Sequence, residues 1–472
     1  DPSNQFTGTL TSHSFITREG SAGVGGPNAT REEVARLFGR AAFGATAADL
    51  DAWSHQPYAA AVDHLLNVPN AATRVPQGDD PERASLEQKP MDDYSPLHSM
   101  QQWWLERMRT AQYPLEEKLT LLWHDHFATA ARNPDVPPTL VFRQIQTLRG
   151  HALGNFRNLV TDVTVDPAML LWLNGAESVG GKPNENYARE LMELFTLGKN
   201  PQVYSENDVR EAARVLTGWI VDGGGRAQFQ AARHDAGTKR VLGRTITNGG
   251  ATEYLQLIDA ALAQATSARF IGYKLVAGLA YQPSTTDVVN HPDPLVAKVG
   301  DSLRRSGWDI KTAVRTLLMS DEFRNSNGSD GRRYVRSPVE VTVGTLKALN
   351  VTANNEPISQ AVGTMGQQLL VPPNVGGWPK GRRWLSSSTL VARYGWGLTA
   401  YGRWQQGPVL RPALPSPTDL NAWAAMFGLS SLSGSTADAL RHYVDTRKGA
   451  AAEELQAGIM SLLLTSPDWM VV

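Results

Sequence analysis

Apolar residues return at helical spacing through nearly every segment of the chain, and this period limits the possible folds more than any single motif does. Thr30-Arg-Glu-Glu33 is a capping box that opens Val34, Leu37, Phe38 and Ala41. Ala47 to Leu66 continues the pattern through Leu50, Trp53, Val62 and Leu65. The same spacing predicts helices over 96–111, 114–131, 140–153, 155–165 and 167–173. Asn184 is placed to cap a helix that runs to Leu197 and stops at Gly198. Ser205-Glu-Asn-Asp208 opens another, reaching Trp219. Further helices are expected over 252–265, 267–280, 294–306, 310–320, 338–349, 358–370, 389–404 and 420–465. The fold class is therefore mainly α, a large multi-helix domain.

Some stretches break the period. Residues 74–96 are charged and Pro-containing and read as a surface loop. Residues 221–247 mix Gly223-Gly-Gly225 with Phe229, Lys239 and Leu242, which predicts a small irregular or β-hairpin lobe. Residues 372–388, rich in Pro, Gly and Trp, read as an irregular loop. Leu317-Leu-Met-Ser-Asp-Glu-Phe323 echoes Leu463-Leu-Thr-Ser-Pro-Asp-Trp469; two copies without a fixed period describe one way of finishing a helix, not a solenoid. Residues 1–29 are polar and Gly/Ser-rich, a flexible N-terminal arm ahead of a single helical domain over 30–472.

With 472 residues, 41% hydrophobic and 19% charged, the chain can bury a large core and is not disordered as a whole. Lys and Arg total 45 against 46 Asp and Glu, so no basic surplus favours nucleic acid or an anionic membrane. No apolar run reaches 18 residues, so no membrane span is expected. The absence of cysteine excludes disulfides, thiolate metal sites and cysteine nucleophiles. Together with the polar arm and a first residue Asp1 rather than Met, it sets the expectation of a secreted protein, extracellular or periplasmic.

Four segments concentrate reactive side chains. In Trp123-His-Asp-His-Phe127 two imidazoles invite a metal reading. Residues two apart on a helix, however, point about 200° apart, so no metal site and no cofactor are expected there. His126 then reads as a buried histidine and Asp125 as a capping or paired carboxylate. In Asn184 to Phe195, the side chains of Glu185, Asn186, Arg189, Glu190 and Glu193 share an arc of about 140°. Arg189 lies four residues from both Glu185 and Glu193, at ion-pair spacing. Apolar neighbours can bury this face, and a buried carboxyl acquires the raised pKa that a general acid needs. Asp208 to Trp219 offers a Glu211–Arg214 pair. The fourth joins His234-Asp235 to the loop Asn374 to Trp384, where Trp378 and Trp384 sit beside Lys380, Arg382 and Arg383. Exposed loop indoles make stacking platforms for sugar rings.

The chain lacks a Gly-x-x-x-x-Gly-Lys-Ser/Thr loop, a Gly-x-Ser-x-Gly elbow, a His-Glu-x-x-His helix and a strand followed by Gly-x-Gly-x-x-Gly. These absences argue against the common nucleotidase, serine hydrolase, zincin and dinucleotide-binding designs. Arg36-Leu-Phe-Gly-Arg-Ala-Ala-Phe-Gly-Ala-Thr46, Leu122-Trp-His-Asp-His-Phe127, Pro183 to Gly198, Asp208 to Trp219, Phe229 with His234-Asp235, and Pro373-Asn-Val-Gly-Gly-Trp-Pro379 with Trp384-Leu385 occur in order along the chain. On these residues the chain resembles the bacterial domain-of-unknown-function family 1800. The resemblance implies a large, mostly exported family without a settled activity.

The residue chemistry sets the functional expectation: a glycan-active enzyme, a glycoside hydrolase working with paired carboxylates on a carbohydrate polymer or oligosaccharide. Glu190 is the expected acid, Asp125 or Asp235 its partner, and His126 and Arg189 tune them. Glu185, Asn186, Glu193, His234, Asn374, Trp378 and Trp384 are expected to meet the substrate in a shared pocket. The alternatives are a metal-dependent hydrolase using His124 or His126, His234, Asp235 and a glutamate, and a non-catalytic surface or assembly protein.

Overall fold

The computed structural model describes residues 27–69, 80–132, 134–199, 203–247, 249–288, 290, 292–325, 333–353, 356–407 and 411–472. Residues 1–26 of the expected arm and 74–79 of the expected loop lie outside them. The chain is mainly α, as its period predicts. Among the described residues the β structure amounts to two antiparallel pairs and a few isolated bridges. The pairs are Trp219–Val221 with Ala227–Phe229 and Lys239–Val241 with Arg244–Ile246. Both fall in the Gly-interrupted lobe. The capping boxes at Thr30 and Ser205 form as read, each hydroxyl accepting from the backbone N–H three residues on.

Several boundaries differ from the periodic reading, each for a local reason. Ala47 to Leu66 is two helices, Ala47–Trp53 and Tyr58–Leu66, because Pro57 cannot continue the first. The supposed loop carries a helix, Pro81–Glu87, with Pro at its first position and the Asp80 side chain accepting from Arg83 N at 2.8 Å. The helix from Pro114 stops at His126; the chain then runs out to Ala131, whose N–H donates to the Leu370 carbonyl. The helix begun at Glu206 ends at Val215, and Trp219 belongs to the first hairpin. The helix read over 358–370 is Glu356–Thr364, closed before Gly366 at φ +100°. The internal echo proves to be one device used twice: Ser320 and Ser466 each bond back to the carbonyl three residues earlier and cap a four-residue helix ending the motif.

One continuous apolar cluster includes residues from Ala29 to Trp469. Two crossings depend on missing side chains. Gly272 on Ala265–Leu279 faces Gly300 on Pro294–Arg305, and a Cβ on either would come within 2.8 Å of the other helix's backbone. Gly397 likewise admits Ser387–Gln406 against Ser461 of Ala452–Thr465.

Asp166 caps the Pro167–Trp172 helix through Met169 N at 3.1 Å and accepts from Gln144 Nε2 at 2.7 Å. Burial pushes its carboxyl up to about 7, outweighing those hydrogen bonds. Its folded value thus lies above the unfolded 3.8, so this group favours folding fully below about pH 4 and progressively less up to about pH 7. Asp166→Asn is expected to remove that slope and to gain about 1–3 kcal/mol at pH 8. Urea midpoints at pH 5 and pH 8 check this; an unchanged slope in the mutant counts against it.

Candidate functional site

Asp125, His126, Trp378 and Trp384 meet at a cavity of about 100 Å³. Its walls are the Pro114–His126 and Ala265–Leu279 helices, the start of Pro338–Leu349, and the 378–384 loop. The local sequence explains the seating of that loop. Asp125 Oδ1 accepts from Trp378 N at 2.8 Å, and its Oδ2 lies 2.8 Å from Lys380 Nζ. A Cβ on Gly377, at φ +84°, would collide with Asp125. The Asn374 side chain turns the same loop by accepting from Gly376 N at 2.8 Å.

The cavity also gathers residues that the motifs did not point to. Lys118 pairs with Glu340 and donates to Tyr334 Oη at 3.0 Å; Tyr334 in turn donates to Glu340 at 2.7 Å. Glu340 closes the capping box at Ser337. Lys274 makes no hydrogen bond or ion pair among the described residues and lies 5.0 Å from the centre of the Phe270 ring. Burial, helped by Lys380, lowers its ammonium to about 7. A sequence signal for these lysines exists. Lys118 interrupts the apolar stripe of Leu115, Leu119 and Leu122, and Lys274 falls beside Ile271 and Leu275.

The two histidines diverge as helix geometry requires. His126 donates from Nε2 to the Phe195 carbonyl at 3.1 Å, which leaves Nδ1 as a buried lone pair without a partner. His124 sits edge-on between Trp104 and Trp378 with neither ring nitrogen hydrogen-bonded. Burial keeps both neutral, His124 at about 3. The loop indoles are not the exposed platforms expected of them. Trp378 and Trp384 are each 4% exposed because they plug the end of the domain against Val335, Leu385 and Val471.

The carboxylate helix lies apart from the lining of this cavity. It runs as Glu185–Glu190 and widens into a π-helix over Leu191–Thr196, with Thr196 Oγ1 and Leu197 N bonding five residues back. Such widenings recur at functional sites. Arg189 bridges Glu206 at 2.8 Å and Glu185 at 3.2 Å, with Glu193 at 3.8 Å. Asn186 reaches the Leu173 carbonyl at 3.4 Å. Glu190, half-buried, has neither a hydrogen bond nor an ion pair among the described residues. Burial raises its carboxyl, and Glu193 raises it further.

His234 and Asp235 form a third group. Asp235 takes Arg214 at 2.7 and 3.1 Å, and Arg214 also holds Glu211. His234 Nε2 lies 2.7 Å from Glu253 Oε2, and Lys239 Nζ lies 2.5 Å from Glu253 Oε1. This cluster ties the hairpin lobe to the Glu253–Leu262 helix. Glu253 carried no motif, but it falls in register with Leu257 and Ala261 on a buried stripe. Among the described residues no three His, Asp or Glu side chains gather where they could hold a metal ion, and no helix is long and apolar enough to cross a membrane.

A mainly helical body, a small hairpin lobe and a lysine-lined cavity closed by a Gly-Gly-Trp loop define the class of protein. The family model described as "Protein of unknown function (DUF1800)" matches residues 36–471, and the chain belongs to that family. No curated protein and no solved structure matches it.

Proposed function

We propose that this chain is an exported glycan-active hydrolase in which Glu190 is the general acid. The observation that carries the reading is the isolation of Glu190: within an arc of ion-paired groups it alone is unpaired, and it sits where the helix opens from α to π. A half-buried carboxyl beside a second carboxylate holds its proton more tightly than a free one, which suits it to passing that proton to a leaving glycosidic oxygen. Glu193, three residues on and flanked by Arg189 and Lys199 at 3.8 Å, is the second carboxylate. Asp125 and Asp235 are tied down by Lys380 and Arg214, which suits them to anchoring rather than proton transfer. Glu185, Asn186 and Arg189 then present polar groups to the sugar.

The test is reducing-end release from a polysaccharide panel, with Glu190→Gln beside the native protein. The expected result is turnover reduced by about 10²–10⁴-fold. The melting temperature should be unchanged, because an unpaired carboxyl loses no ionic partner. Full turnover in the mutant removes Glu190 from the mechanism. Release from no polysaccharide removes the hydrolase reading and leaves the non-catalytic surface protein.

A further inference from the structure

The cavity at Asp125 has an unbalanced charge. Three lysines and two carboxylates line it. Lys118 is matched by Glu340 and Lys380 by Asp125, and the oxygens of Asp125 are further occupied by Trp378 N. Lys274, half-buried in the same lining, has no hydrogen bond or ion pair among the described residues, and the nearest counter-charge, Asp125, is already held by Lys380. A half-buried ammonium without a partner of its own is balanced by loss of its proton or by an anion from outside. Trp378, which lines the cavity, has a buried Nε1 with no hydrogen-bond partner. The Nδ1 of His126, on the same wall, is an equally unpartnered acceptor. Unpartnered polar atoms on two residues of one cavity, next to a lysine without its own counter-ion, are groups that a small polar ligand can satisfy.

We infer that this cavity binds one small oxyanion, with Lys274 as its counter-ion and Trp378 Nε1 as its oriented donor. At about 100 Å³ the space admits a carboxylate, sulfate or phosphate head. The His126 lone pair suits a ligand with a hydroxyl next to its charge, as in hydrogen phosphate or a sugar acid. An anion beside Lys274 would favour its charged form, which burial and Lys380 hold down at about 7. The site shares no residue with the Glu190 group and does not depend on its role.

Titration calorimetry and thermal melts of the full chain test the inference, with sodium sulfate, sodium phosphate and sodium glucuronate as probes. Sodium chloride at equal ionic strength and glucose serve as controls. At least one oxyanion should bind with one-to-one stoichiometry and raise the melting temperature, while glucose does neither. Response to glucuronate alone identifies a sugar carboxylate; response to sulfate or phosphate identifies a tetrahedral anion. Lys274→Met, which removes the charge and keeps the stem, should fold and bind about 30-fold more weakly or worse. Lys274→Gln carries the same comparison if the methionine variant does not fold. Trp378→Phe keeps a ring and removes the donor, and should cost several-fold. The inference is overturned if no oxyanion binds beyond chloride, or if both Lys274 variants bind as the native chain does.

Discussion

Glu253→Ala is expected to destabilise the protein by about 3–5 kcal/mol, the usual cost of removing one partner from a buried ionic group. The Glu253 carboxylate is fully buried between His234 and Lys239, which are 3% and 0% exposed. Its removal leaves an imidazole and an ammonium facing each other in a dry site. The Lys239 ammonium keeps the Asp235 carbonyl, which carries no full charge to replace the carboxylate. The damage should concentrate in the lobe, because Glu253 belongs to the helical body while His234 and Lys239 belong to the lobe. Thermal unfolding measures the loss, and hydrogen exchange at Trp219–Val221 and Lys239–Val241 locates it. Native protection of those amides in the mutant would show that the ionic group does not hold the lobe. Glu253→Gln should lose less, since an amide can still accept from His234.

The helices were legible because their signal is local. Four residues suffice to display a stripe, and Thr30 and Ser205 announce their boxes within three positions. Their ends were less legible. Gly218, at φ +95°, marks an end there, but not that a hairpin follows, because the pairing of Trp219 with Phe229 is made across ten residues. The site was legible in part. Motif reading reached Asp125, His126, Trp378 and Trp384, whose contacts span 253 positions in the Asp125–Trp378 bond. It missed Lys118, Lys274, Glu253 and Glu340, because a charge inside a helix normally faces water. Only their position on an apolar stripe distinguishes them, and Glu117, one turn before Leu121, meets the same criterion.

Glu117 should dominate the acid limb of stability. It lies one turn before Leu121 in the Pro114–His126 helix, 1% exposed. Its carboxylate takes Arg107 Nε and Arg149 Nε at 2.6 Å and Trp104 Nε1 at 3.0 Å. Burial alone would push this carboxyl up; the Arg149 and Arg107 guanidiniums more than reverse it and hold it at about 2. The folded value is below the unfolded 4.5, so the stabilisation is complete above about pH 4.5 and is lost as pH falls towards 2. A displacement of that size is worth about 3 kcal/mol. Glu117→Gln is expected to cost about 3–5 kcal/mol at pH 7, because the carboxylate that the buried Arg149 and the partly buried Arg107 share loses its charge. The gap between native and mutant should then narrow steeply as both are titrated to pH 2.5, since the unfolded carboxyl is protonated there and most of the stabilisation has been lost. Urea midpoints at pH 7, 4 and 2.5 read this directly. A gap that stays constant over that range would mean that Glu117 contributes by shape and hydrogen bonding, not by charge. The slope has the opposite sign to that of Asp166, whose contribution falls above about pH 4, so the two groups together place the most stable pH between their windows, near 4 to 5.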